Sequence, residues 1–147
     1  MINRSKSTLF LIEQLLAIAV FAVCAVACVR IITTAFLYSK DSRDVGFAII
    51  AAENVAEGFK AVSGNFELIA DMFGSEKTQS NGEPAVTIYY DTNWQITNAS
   101  NASFILCLNS SKVTEFSSHQ LIEGNLSVER ISGDELISFN IASIMEG

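Results

Sequence analysis

Leu9 to Val29 reads LFLIEQLLAIAVFAVCAVACV, twenty-one residues broken only by Glu13 and Gln14. As an α-helix this run is about 31 Å long, enough for a bilayer core of about 30 Å. Arg4, Lys6 and the α-amino group precede it, and Arg30 follows directly. The next cations, Lys40 and Arg43, are offset by Asp41 and Asp44. The positive-inside rule therefore predicts a short cytoplasmic N-terminus with the body of the chain outside. Two processing readings compete with a retained span. Ala25-Val26-Ala27 is an A-x-A pattern for cleavage after Ala27, and with Cys28 it makes a loose lipobox. The apolar run exceeds the roughly 7–15 residues of a signal h-region and contains Glu13, which favours retention.

The 147-residue chain is 50% hydrophobic and 17% charged, against about a quarter charged in soluble domains. The excess is local, since residues 9 to 37 carry two charges, Glu13 and Arg30. Residues 1 to 40 hold four Lys/Arg and one Glu, net +3. Residues 41 to 147 hold five Lys/Arg and fifteen Asp/Glu, net −10. An acidic body argues against nucleic acid as a partner, because that binding needs clustered cations. Too little chain remains beyond the apolar arm for a large soluble enzyme. No nucleophile motif, phosphate loop or cofactor fingerprint is present, so neither an enzyme nor a cofactor is expected. His119 stands alone with no Cys/His spacing around it, and no metal is expected.

Beyond Arg30, Val45, Ile49, Ala52, Ala56 and Phe59 recur at spacings of 4, 3, 4 and 3. That is one face of an amphipathic helix. Lys40, Asp44, Glu53, Asn54, Glu57 and Lys60 fall on the opposite side, with Lys40 and Asp44 as an i,i+4 pair. No Pro occurs before Pro84, and Ser63-Gly64-Asn65 is a stop signal. One helix is predicted from about Leu9 to about Val62, apolar all round in 9–29 and amphipathic over 30–62. Residues 65–73 suit a short second helix. Ser75 to Pro84 is predicted as a polar loop, after which the period changes from 3.6 to 2. Val86-Ile88-Tyr90, Trp94 to Thr97, Phe104-Leu106-Leu108, Leu126 to Ile131 and Glu135 to Ile141 read as strands, with Asn98 to Ser103 as a loop. Ser132-Gly133-Asp134 turns the last two into a hairpin. Residues 111–124 show no clear period. The fold class is α+β: a long N-terminal helix whose amphipathic half covers a five-stranded antiparallel sheet in a domain over 63–147.

Leu11-Ile12-Glu13-Gln14-Leu15-Leu16 behind a short basic leader resembles the N-terminus of type IV prepilins and type II secretion pseudopilins. The resemblance covers the first 60 residues by motif and layout. It implies a pilin-like fold, a leader over Met1 to Thr8, and cleavage between Thr8 and Leu9 by a prepilin peptidase. It makes Glu13 the fifth mature residue, which sets register by meeting the N-terminal amine of a neighbouring subunit. Thr8 stands where the family usually carries Gly, and Leu9 where it usually carries Phe. The implied function is an accessory subunit of a pilus, secretion pseudopilus or competence filament. Its implied partners are other pilin-like subunits, met through the helix, and an assembly platform. Its implied location is the bacterial cytoplasmic membrane as a single pass, or an extracellular filament. The alternative is a single-pass anchor carrying an extracytoplasmic binding or sensing domain that does not polymerise.

Glu13 has a physical consequence apart from any family. It lies about 6 Å into the apolar run. A carboxylate at the bilayer centre costs about 2.5–3.5 kcal/mol on insertion scales, and less near the headgroups. A neutralising partner is therefore favoured over lipid. Cys24 and Cys28, four residues apart, share a helix face; with Ala17, Ala22 and Ala25 they offer small residues where another helix can approach. Cysteine is also simply a small apolar residue. Cys107 falls in a strand and is expected as a core thiol. Asn98, Asn101, Asn109 and Asn125 each begin N-x-S, which matters only in a glycosylating pathway.

Overall fold

The computed structural model describes residues 3–80, 82–116 and 118–146, and the side chains of these except 3–7, 76, 77, 80 and 146. Met1 and Ile2 of the expected leader lie outside the described residues. The chain divides into two compact units, 1–42 and 43–147.

Helix α1 spans Asn3–Ala61 without a break. It begins before the expected Leu9 because residues 3–8 contain no Gly or Pro to stop it. In the first unit every residue from Thr8 to Ser42 is exposed. This helix is long and apolar enough to cross a membrane.

The second unit is an α+β domain in which residues 43–61 of α1 and α2 (Phe66–Phe73) cover an antiparallel sheet of six strands. These are β1 (Glu76–Ser80), β2 (Glu83–Tyr90), β3 (Ile96–Thr97), β4 (Phe104–Glu115), β5 (His119–Arg130) and β6 (Glu135–Glu146). The order is β1-β2-β4-β5-β6, with β3 also paired to β2. Helix α1 stops in a Schellman turn. The Ser63 amide donates to the Lys60 carbonyl and the Gly64 amide to that of Phe59, with Ser63 at φ 53 and Gly64 at φ 77. Asn65 then caps α2, its Oδ1 accepting from the amides of Glu67 and Leu68.

The contact face of α1 is rotated from the expected one. Ala48, Ala51, Ala52, Val55, Ala56 and Phe59 are buried, whereas Ile49 is exposed and Val45 half-buried. Three of these six alanine-rich positions are not in the expected set, since a 3.6-residue period sets a helix face only to within some tens of degrees. The alanines let the backbone lie close to the sheet, so the larger Ile49 turns aside. Against them pack Val86, Ile88, Leu106, Leu108, Leu126 and Val128 from the inner sheet face.

Three further expectations are corrected, and the stretch without a clear period finds its place. The polar stretch 75–84 is not a loop but the β1–β2 hairpin, paired from Glu76↔Thr87 to Ser80↔Glu83. It adds β1 as the sixth strand, whose residues, EKTQS, carry no apolar side chain to alternate. Of residues 111–124, 111–115 end β4 and 119–124 open β5, with a register shift between Ser110 and Lys112. Most side chains from 111 to 119 are exposed, so neither face there alternates. Trp94 is not in a strand. It sits in a turn at φ 61, and β3 is only Ile96–Thr97. Cys107 is not in the core: it alternates with buried Leu106 and Leu108, and its half-buried thiol faces away from the helices, toward Thr87. Burial raises the thiol's pKa, and the charge of Glu129 adds to this, against an opposing hydrogen bond with Thr87.

Candidate functional site

The residues singled out in the sequence lie in the first unit. Thr8, Leu9, Glu13, Ala17, Ala22, Cys24, Ala25 and Cys28 are all on α1 and all exposed. At about 100° per residue, Glu13, Ala17, Cys24 and Cys28 fall within an arc of about 60°. Ala25 flanks that arc, whereas Ala22 lies about 140° from Ala17 and faces elsewhere. Helical geometry thus brings the carboxylate, one alanine and both cysteines onto one stripe. The expected cut between Thr8 and Leu9 falls within the helix. Among the described residues no group of His, Cys, Asp and Glu is arranged to hold a metal.

Downstream, α1 changes character again. Ile31, Ile32, Ala35, Phe36 and Tyr38 share one side of the helix with Ser39, while Leu37 lies among Arg30, Thr33, Thr34, Lys40 and Asp41 on the other. Thr33 folds its hydroxyl back onto the Val29 carbonyl at 2.9 Å.

Two features of the second unit escape a reading of the sequence. The first is an ion pair. Asp44, placed by periodicity on the solvent side, is buried, and its Oδ2 accepts from Arg130 Nη2 at 3.0 Å. Arg130 ends β5, 86 positions away, so no local pattern connects the two. The second is an apolar groove of about 310 Å³. Phe47, Ile50 and Ala51 of α1, Phe73 of α2, and Trp94 and Ile96 line it, with Asn54 and Gln95 as its polar members. Phe47, Ile50 and Ile96 are exposed there.

Trp94 is the floor of that groove. It stacks on Phe104 with ring centroids 4.1 Å apart and on Phe47 at 6.2 Å. A tryptophan in the left-handed region costs about 1–3 kcal/mol, and its buried Nε1 has no hydrogen-bond partner. Asp91 holds the turn that imposes this conformation. Its Oδ1 accepts from the amides of Asn93 and Gln95 at 2.8 and 2.9 Å, and its carbonyl accepts from that of Trp94 at 3.1 Å. Stacking in the core offsets the strain, since a buried aromatic pair adds about 0.5–1.5 kcal/mol beyond its area. Burial also raises the pKa of Tyr90, a third aromatic wall.

No protein-family model, curated protein or solved structure matches this chain. The described residues present two apolar surfaces, the exposed helix of the first unit and the aromatic groove of the second. Both are suited to packing against apolar partners.

Proposed function

We propose that this protein is a prepilin-like accessory subunit of a pilus, secretion pseudopilus or competence filament. In this reading its apolar helix is stored in the cytoplasmic membrane, N-terminus inward, and then packs against other subunits. The observation that carries the proposal is α1: fifty-nine continuous helical residues, with Glu13 the one charge between Leu9 and Val29. A plain anchor needs about 20 apolar residues and no carboxylate. Here the helix continues past the membrane length as far as Ala61. Glu13, opposed by lipid alone, is costly to insert; opposed by the amine of a neighbour, it sets the register of one rod against the next. The α+β layering of the second unit is compatible with a pilin-like head.

The test is the intact mass and N-terminal sequence of the protein from its native membranes. A start at Leu9, with one added methyl on the amine, is the expected result. A retained Met1 start in protein that never sediments as an assembly would sink the reading in favour of a membrane-anchored binding domain.

A further inference from the structure

We infer that the outer edge of β6 pairs with an extended segment of another protein, one that alternates apolar residues with Lys or Arg. The inference goes beyond the assembly reading and stands whether or not the chain polymerises. The sheet runs β1-β2-β4-β5-β6, so β1 closes one side and β6 the other. Strand β1 is five residues, EKTQS, short and charged in the way that blunts an edge. Strand β6 is twelve residues, ELISFNIASIME, with no Lys, Arg, Pro or Gly, and its ten inner positions are uncharged. It pairs with β5 without a shift from Ile137 to Glu146, so no bulge turns that stretch of the edge aside. Among the described residues no strand covers its other side. Alternate residues there direct amides and carbonyls outward, the pattern that an added strand recognises.

The groove beside that edge sets the chemistry of the added strand. Glu53, Glu57 and Lys60 of α1 and Phe139 to Ala142 of β6 line a space of about 480 Å³. Phe139 stands opposite Leu126 in the ladder and so faces the helices, yet it is 37% exposed. Glu53 and Glu57 are exposed, and among the described residues neither is in an ion pair. They lie about 6 Å apart along α1, and side chains on one face of an extended strand repeat every 6–7 Å or about that. Two Lys or Arg two positions apart therefore reach both carboxylates, while their alkyl stems cover the exposed part of Phe139. Lys60 is the one cation of the groove, so two positive charges, not a longer run, fit it. On the opposite face of the sheet the added strand meets half-buried Leu136 and exposed Ile144, which suit apolar side chains. A second copy paired through its own β6 is the poorer occupant. It would bring no cation to Glu53 and Glu57, and residues 41–147 of each copy are net −10.

The test uses the full chain in mild detergent and a capped nine-residue peptide in which valine alternates with polar residues, two of them lysines two positions apart and the rest threonine. The peptide is expected to bind and to slow hydrogen exchange of the amides of 136–145 at least tenfold, read by mass spectrometry. N-methylation along one edge of the peptide is expected to weaken binding at least tenfold, and along the other edge far less, because only one edge pairs. The variant Glu53→Lys/Glu57→Lys is expected to bind at least tenfold more weakly, and to recover binding when the peptide's lysines are replaced by glutamates. Both side chains are exposed, and unchanged Trp94 emission would verify the fold. A peptide that does not bind, equal binding of the two N-methylated peptides, indifference to Glu53 and Glu57, or slowed exchange at 76–80 in place of 136–145 would overturn the inference. So would exchange at 136–145 that is slow without peptide and quickens on dilution, which would assign the edge to a second copy. None of these outcomes touches the N-terminal start that tests the assembly reading.

Discussion

Replacing Arg130 with Met should destabilise the second unit by about 3 kcal/mol, although the side chain lies at the edge of the fold. The pair it forms with Asp44 spans 3.0 Å, with the Asp44 side chain 8% exposed and that of Arg130 25% exposed. Unit charges about 4 Å apart at an effective dielectric constant of about 20 attract by about 4 kcal/mol. Desolvation of a carboxylate this buried removes most of that gain, leaving a coupling of about 1–2 kcal/mol. Breaking the pair from the arginine side is costlier, because Asp44 keeps its burial and loses its compensation. For fully buried pairs the loss is about 3–5 kcal/mol, and the quarter-exposed arginine puts this one at the lower end. The double variant Asp44→Leu/Arg130→Met removes both charges and should return to within about 1 kcal/mol of the wild type. The assay is urea unfolding of the full chain in mild detergent, followed by fluorescence of its one tryptophan, Trp94, which sits in the core. For a unit of this size about 3 kcal/mol corresponds to a Tm lower by about 12–24 °C. A cost under about 0.5 kcal/mol for Arg130→Met, or additive losses in the double variant, would refute the reasoning.

Three further outcomes are expected. Glu13→Ala should insert into membranes normally yet fail to enter assemblies, so sedimentation separates it from wild type where membrane fractionation does not; normal incorporation would remove Glu13 from the mechanism. Gly64→Ala should cost about 2 kcal/mol in the same urea assay, because φ is +77 and the added Cβ would meet Ile122 Cδ1 at 3.0 Å. Stability should fall as pH rises past about 9, the ordinary value for the Cys107 thiol. The folded state holds that proton longer than the unfolded chain does, so it binds more protons above that point and none extra below it. Tyr90 adds to the decline past about 10. Cys107→Ala should flatten the earlier part of the curve; urea midpoints at pH 7, 9 and 10 would show whether it does.

The long helix, the second helix, the final hairpin and the α+β class were legible from residue order because each depends on local periodicity. Leu9–Val29 is apolar on every side, Ser63-Gly64-Asn65 stops a helix through backbone geometry, and Gly133 turns a hairpin at φ 95. Strand β1 was not legible, since its residues, EKTQS, carry no apolar side chain to alternate, whereas β2 showed itself through Val86, Ile88 and Tyr90. Trp94 was drawn into a strand by its neighbours' β-propensity, whereas the core gained more by pulling the ring under Phe104 and accepting a left-handed backbone. Cys107 shows the limit of alternation: the period assigns two faces to β4, but only packing decides which of them meets the helices.

The candidate site divides along the same line. By itself the sequence determined the membrane-length apolar run, its single carboxylate at Glu13 and the stripe that carries Ala17, Cys24 and Cys28, because positions three and four apart on a helix share a face whatever surrounds them. Only the tertiary structure brought Asp44 to Arg130 across 86 positions and closed Phe47, Ile50, Trp94 and Ile96 into a groove. Those contacts join segments that no local rule relates, and the free energy that selects them comes from burying the sheet face and the helix together.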